Sequence, residues 1–147
     1  MLRNLGAGLA GCVLGVIVIS FVEMMGHAFY PPPKEVREAL RSKDLEVQKK
    51  AIEEYLPNAP VGAMLFVPFA WGVGTLMGGY LAGRLANPGS HDVAWGVGGL
   101  MLLCAVTVLS AIPHPTWMQT GVVMFPLGAY GGECLLRRAI ARSATED

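Results

Sequence analysis

Four long apolar stretches, separated by short polar segments, dominate the pattern of hydrophobic and polar positions along this chain. They cover residues 5–28, 59–82, 93–112 and 116–136, and a hydrophilic segment, 31–58, lies between the first two. Each stretch is long enough to cross the roughly 30 Å hydrocarbon core of a bilayer as a helix of about 20 residues. The pattern therefore predicts an all-α integral membrane bundle of four transmembrane helices, formed by a single domain that covers residues 1–147.

The hydrophilic segment has its own pattern. Three consecutive prolines, Pro31 to Pro33, end the first helix because proline has no N–H and disfavours helix at the residue before it. Apolar residues then recur at intervals that place them largely on one side of a helix. We expect one or two short amphipathic helices, broken near Ser42, on the membrane surface or capping the bundle. A solvated linker and a partner-binding surface are both open for this segment.

The orientation of the chain follows from its basic residues. With both termini inside, the inner face carries five arginines at helix ends: Arg3, Arg84, Arg137, Arg138 and Arg142. The hydrophilic segment, with its six Lys and Arg residues, is then on the outer face. A strict count under the positive-inside rule is nearly a tie, and the orientation is decided by the arginines at the ends of the second and fourth stretches and by the uncharged turn around Pro113 to Pro115. We therefore predict a multi-pass protein of the bacterial inner membrane with both termini in the cytoplasm.

Composition supports a membrane protein and excludes several other classes. The chain is 53% hydrophobic and 15% charged, with a net charge of zero, so nothing indicates a nucleic-acid partner. It contains no phosphate-binding loop, nucleophile elbow or paired metal motif. Its three cysteines all lie in apolar stretches without metal-ligand spacing, which is typical of inert buried thiols. The sequence thus predicts no cofactor.

Small residues indicate how the helices pack. Three G-x-x-x-G pairs occur in the first two apolar stretches: Gly11 with Gly15, Gly74 with Gly78, and Gly79 with Gly83. Because lipid provides little hydrophobic drive between helices, close backbone approach through glycine matters more in a membrane. We expect these glycines to lie at helix contacts. We also expect Pro68 and Pro126 to kink the second and fourth helices.

One group of polar residues is a candidate site. Glu23 and His27 are four residues apart, so they share one face of the first helix, and the carboxylate should face the bundle rather than lipid. In the predicted topology, Tyr30, His114 and Trp117 lie at the same outer end. The residues could form a site for protons or for a metal ion. Alternatively, Glu23 and His27 form only a local hydrogen bond, with the aromatic residues as interfacial anchors.

A second acidic residue lies in the fourth stretch. Glu133 is about one turn from the inner end of that helix and four residues before Arg137. An ion pair between them near the headgroups is sufficient to explain a carboxylate at this depth.

The same residues carry a family resemblance. The motifs are ExxGHxxYPPP from Glu23 to Pro33, Trp71-Gly72 in the second stretch, and IPHPxW from Ile112 to Trp117. Together they resemble the pattern of an uncharacterised family of small four-helix bacterial membrane proteins. The resemblance spans nearly the whole chain and implies an inner-membrane location with four spans. It implies no activity.

Two function classes follow from these observations. The first is a structural or accessory membrane protein, with the lipid bilayer and a second copy or a larger membrane protein as its partners; the glycines and the lack of a catalytic motif favour it. The second is a small transporter or membrane enzyme that uses the Glu/His group. A water-accessible cavity at the outer end would favour the second class, and dry packing there would favour the first.

Overall fold

The computed structural model describes residues 1–90, 92–111 and 115–146. The protein is all-helical: 87% of it is helix, and no strand occurs in these three ranges. The predicted site residue His114 lies outside them. The helices are α1 (Leu2–Phe29), α2 (Lys34–Ala39), α3 (Leu45–Tyr55), α4 (Val61–Leu85), α5 (Asp92–Ala111), α6 (Thr116–Gln119) and α7 (Met124–Glu146). Two 3₁₀ turns, Leu56–Asn58 and Thr120–Val123, precede α4 and α7.

Three of these helices are long and apolar enough to cross a membrane: Leu2–Phe29, Val61–Leu85 and Asp92–Ser110. They correspond to the first three apolar stretches, and their ends lie within three residues of the predicted ones. These helices indicate a membrane protein. The side chains that these helices bury are small, because many of the buried residues are alanine or glycine.

The fourth apolar stretch is not one continuous helix. It divides into α6, the 3₁₀ turn Thr120–Val123 and the start of α7, which then continues to Glu146 beyond the apolar residues. Pro126 explains the break, because its ring displaces the carbonyl of Val122 and it has no N–H to bond there. A kink was predicted at Pro126. The structure instead has a break in the helix just before this proline, at the 3₁₀ turn Thr120–Val123.

Helix α4 lies at the centre of the protein and contacts α1, α5 and α7. Its contact with α1 is made by backbone. A Cβ at Gly11 would lie 2.5 Å from the carbonyl oxygen of Gly78, and one at Gly74 would lie 2.7 Å from that of Gly15. The residue numbers of the two pairs rise on α1 and fall on α4, so the two helices are antiparallel. Such separations exclude any side chain at these positions.

The remaining faces of α4 also pack through small residues. Gly79 faces Ala94 of α5, with 3.4 Å between an ideal Cβ and that of the alanine, and Gly83 faces Leu136 of α7. On α7, a Cβ at Gly128 would lie 2.6 Å from the carbonyl oxygen of Gly72. All six glycines predicted from the sequence thus lie at helix contacts, and α7 adds others, among them Gly132, where a Cβ would lie 2.7 Å from the carbonyl oxygen of Leu76.

Polar groups join the helices where α4 ends and α5 begins, which we call the Arg84 end. Arg3 Nε donates to the carbonyl oxygen of Leu85 at 2.9 Å. Asn4 accepts from the backbone N–H of Asn87 and donates to Ser90 Oγ, both at 2.9 Å. The first turn of α1 therefore satisfies backbone groups that the end of α4 leaves without an intrahelical partner.

The segment between α1 and α4 contains two short helices that are separated around Ser42. Helix α3 begins at Asp44, whose side chain accepts from the backbone N–H of Glu46 at 2.9 Å as an N-cap. It contacts α2 and the 3₁₀ turn that follows it. This segment lies at the end of the bundle where α1 ends and α4 begins, which we call the Glu23 end.

The backbone contact between α1 and α4 predicts which glycines are essential for stability. Gly78→Ala should lower the free energy of unfolding by about 1–3 kcal/mol, because its Cβ would overlap the carbonyl group of Gly11. Gly99→Ala is the matched control, since nothing lies within 4 Å of a Cβ there. Thermal unfolding in detergent measures both. Equal melting temperatures for the two variants would contradict this account of the α1–α4 contact.

Candidate functional site

A cavity of about 540 Å³ lies at the Glu23 end. Its walls come from α1, α3, α4, α5 and α6, so chain segments far apart in sequence form one site. The lining residues are Glu23, Gly26, His27, Tyr30, Ile52, Tyr55, Leu56, Ala59, Ala63, Met64, Phe66, Val67, Trp71, Val108, Leu109 and Met118. Three of the five predicted site residues, Glu23, His27 and Tyr30, are among them.

Glu23 and His27 lie one turn apart on α1, and both line the cavity. Glu23 is partly buried and His27 is exposed. No hydrogen bond or ion pair links these two side chains to each other in the structure, although both residues are described. The local hydrogen bond that offered the simpler interpretation of this pair is therefore not formed. The carboxylate and the imidazole remain available to a molecule in the cavity.

Aromatic residues shape the side of the cavity where α1 meets α4. The Phe66 ring lies 6.1 Å from that of Phe29 in a stacked arrangement and 6.2 Å from that of Tyr30, edge to face. Gly26 and Gly62 make room for them: a Cβ at Gly26 would lie 2.9 Å from Phe66, and one at Gly62 would overlap the Tyr30 hydroxyl. Each glycine here faces a ring rather than another glycine.

The cavity is closed below by a second aromatic pair. Trp71 lines the cavity and stacks on Phe125 of α7, with ring centroids 5.2 Å apart and an interplanar angle of 23°. Phe125 is only 2% exposed, and the buried side chains of Val97 and Met101 belong to the same apolar cluster. This layer separates the cavity from the Arg84 end.

Helix α3 and the turn that follows it cover the cavity on its other side. Ile52 and Tyr55 of α3, together with Leu56 of the following turn, line it. None of the residues of α2 or α3 is fully buried. Helix α3 is thus a cover that reaches the cavity through a few side chains.

Two predicted site residues are not brought into the cavity by the described part of the structure. Trp117 is 41% exposed and is not a lining residue, whereas the next residue, Met118, is 3% exposed and lines the wall. His114 lies outside the described residues, so its predicted approach to His27 stays a prediction. Sequence reasoning missed Trp71 and Tyr55 as parts of the site; the Trp71-Gly72 motif was the only signal for either.

A second polar group joins α5 to α7 near the Arg84 end. Glu133 is 9% exposed, and Arg137 donates to its Oε1 from Nη2 at 2.6 Å and from Nε at 3.0 Å. The pair predicted from the sequence is therefore present. Trp95 Nε1 also donates to Glu133 Oε2 at 2.7 Å, which sequence spacing could not reveal because the two residues lie on different helices. This carboxylate is fully engaged in holding two helices together.

The chemistry open to the Glu23 cavity is limited by its side chains. No group of three or more His, Cys, Asp or Glu residues with metal-binding geometry occurs among the described residues. Its described lining offers one carboxylate, one imidazole, two phenol groups and the indole of Trp71, and the rest of that lining is apolar. Such a site can accept hydrogen bonds from a small molecule, balance a positive charge and enclose an apolar body.

No protein-family model, curated protein or solved structure matches this chain significantly. The resemblance of its motifs to a family of small bacterial membrane proteins therefore stays a prediction.

The link between Trp95 and Glu133 predicts a stability difference between two tryptophans. Trp95→Phe should lower the free energy of unfolding by about 1.5–3 kcal/mol, because it removes a hydrogen bond to a buried charged group. Trp117→Phe is the control, since Trp117 is exposed to nearly the same degree as Trp95, 41% against 44%, but its indole N–H bonds to none of the described residues. Thermal unfolding in detergent compares them, and a Trp95→Phe protein as stable as the control would contradict a structural role for this bond.

Proposed function

We propose that this chain is a four-span membrane protein whose cavity at the Glu23 end binds a small amphiphilic molecule. The observation that carries the proposal is the cavity itself: about 540 Å³, mostly apolar and aromatic, with Glu23 and His27 side by side in its wall. Ligand sites typically combine a concave apolar surface with a few convergent polar groups. Ionisable residues at membrane depth are also functional candidates by default.

The packing of α7 supports a fourth span. Helix α7 lies against α4 and α5, the two candidate membrane helices that flank it. The 3₁₀ turn before it packs on α4, where Gly121 is buried and a Cβ there would lie 2.8 Å from Pro68. Non-helical backbone is tolerated at membrane depth where protein covers it. Residues 116–136 can therefore cross the bilayer as an interrupted helix.

The arrangement of the arginines supports a cytoplasmic location for both termini. Arg3 bonds to the end of α4 beside Arg84, and Leu136, which precedes Arg137, packs against Gly83. These arginines therefore belong to one end of the bundle, which supports a cytoplasmic location for that end. The Glu23 cavity is then at the outer face of the inner membrane.

The closed layer beneath the cavity favours binding over conduction. Trp71 stacked on Phe125 fills the path from the cavity towards the Arg84 end. A pore would need a continuous polar route, and this packing offers none among the described residues. Of the function classes open from the sequence, the cavity favours the one with a Glu/His site, which acts here as a receptor or as the outward-facing site of a transporter.

One observation favours the accessory role as a second candidate. A groove of about 480 Å³ lies between α1 and α5 near the Arg84 end, with Leu5, Gly8, Val93 and Gly96 among its lining residues. In a membrane, a groove between helices can receive a helix of a larger partner. Copurification of the protein from mild detergent with a stoichiometric membrane partner would support this role.

The proposed topology makes a direct prediction. In a background without native cysteines, Ser42→Cys should react with a membrane-impermeant thiol reagent added to intact cells, because residue 42 lies in the proposed outer segment. Thr145→Cys should react only after the cells are permeabilised. Mass-tag gel shifts measure both. Reaction of Thr145→Cys in intact cells would overturn the orientation.

The proposed binding function is tested with three molecules that share one apolar body: benzylamine, benzyl alcohol and benzoate. At least one should change the fluorescence of Trp71 saturably, because this residue lines the cavity. Trp71→Phe identifies the part of the signal that comes from Trp71. Ala63→Phe should abolish binding by filling the cavity. If none of the three binds, or if Ala63→Phe binds as the native protein does, the proposed function is wrong.

A further inference from the structure

We infer that the ligand of the Glu23 cavity is an organic cation: a protonated amine or a quaternary ammonium group attached to a small apolar body. This inference rests on the proposed binding function and names its substrate class. Three observations carry it: the Glu23 carboxylate has no ion pair among the described residues, the wall is aromatic, and the described lining contains no Lys or Arg.

Glu23 and Glu133, the two carboxylates within the apolar stretches, differ in how their charge is balanced. Glu133 accepts two hydrogen bonds from Arg137 and one from Trp95. Glu23 lines the cavity instead, and within the described residues it makes no ion pair and accepts no hydrogen bond. A charge held away from water is costly unless a counter-charge compensates it. The cavity beside Glu23 is the place where a cationic ligand would supply that counter-charge.

The aromatic wall suits a cation with an apolar body. Tyr30, Tyr55, Phe66 and Trp71 all line the cavity. The face of an aromatic ring attracts an ammonium group, and such rings recur in sites that recognise quaternary ammonium ions. Four rings in the same cavity wall as one carboxylate therefore provide both attraction for the charge and apolar surface for the rest of the molecule.

The described lining offers little to an anion or a metal ion. It contains no Lys or Arg, and His27 is its only side chain that can become positively charged. The lysines of the preceding segment do not line it; Lys50, for example, lies at a separate surface depression on α2 and α3. Among the described residues, Glu23 and His27 alone fall short of the three ligands that a tight metal site requires.

The test compares dissociation constants of benzylammonium, benzyl alcohol and benzoate, measured by Trp71 fluorescence on the full chain in lipid nanodiscs at neutral pH. Benzylammonium should bind about tenfold more tightly than benzyl alcohol, because a charge pair and cation–π contacts are added to the same apolar body. Benzoate should bind more weakly than either. Glu23→Gln should remove the preference for the cation while it retains binding of the alcohol.

Glu53→Gln is the matched control, because Glu53 is an exposed carboxylate of α3 that pairs with Lys49 and does not line the cavity. It should leave the preference unchanged. If Glu23→Gln does not fold, competition on the native protein replaces it: tetramethylammonium should displace benzylammonium, and the same concentration of sodium should not.

The outcomes separate the two proposals. Equal affinity for benzyl alcohol and benzylammonium would overturn the cation assignment and leave the binding function intact, as would a preference that survives Glu23→Gln. Displacement by sodium as effective as that by tetramethylammonium would overturn it too, since general screening would then account for the effect. Failure of all three molecules to bind would overturn the binding function and the cation assignment together.

Discussion

The contact between the backbones of α1 and α4 is the constraint on which the rest of the structure depends. Gly11 faces Gly78, and Gly15 faces Gly74. At each of these glycines, backbone atoms of the facing helix occupy the space that a side chain would need. In lipid, where apolar side chains gain little by leaving their surroundings, such contact is a principal source of helix association. It holds α1 against the central helix, and α5 and α7 pack on the other faces of α4 in the same way.

The cavity follows from a change in that contact along the two helices. Towards the Glu23 end, Gly26 faces Phe66 and Gly62 faces Tyr30, so an aromatic ring stands where the other end has only backbone. Rings rather than backbone fill the α1–α4 contact there, and the cavity beside it is lined by rings and by Glu23. One carboxylate is thus left in an open site, while Glu133, in the tightly packed region, is held by Trp95 and Arg137. The proposed binding function depends on this contrast.

Features that depend on spacing within one helix could be predicted from the sequence. Contacts between side chains of different helices could not, because they depend on how each helix is rotated about its axis. Hydropathy located three helices that are long and apolar enough to cross a membrane, and i,i+4 spacing predicted the pair of Glu133 and Arg137. The partnership of Trp95 with Glu133 and the stacking of Trp71 on Phe125 join separate helices, so no periodicity within one helix reveals them. The fourth stretch reads as a continuous span because hydropathy averages over the break at Thr120–Val123. Glu23 and His27 could be placed on one face, but the cavity beside them required the tertiary structure.

The proposed function requires the Glu23 end to be open to water while the layer of Trp71 and Phe125 beneath it is closed. Two alanines of α4, seven residues apart, test this directly: Ala63 lines the cavity, and Ala70 is 0% exposed. In a background without native cysteines, the rates at which Ala63→Cys and Ala70→Cys react with a small, water-soluble methanethiosulfonate should be measured in nanodiscs. We expect Ala63→Cys to react and Ala70→Cys not to react. An unreactive position 63, or equal rates at both positions, would contradict the proposed function.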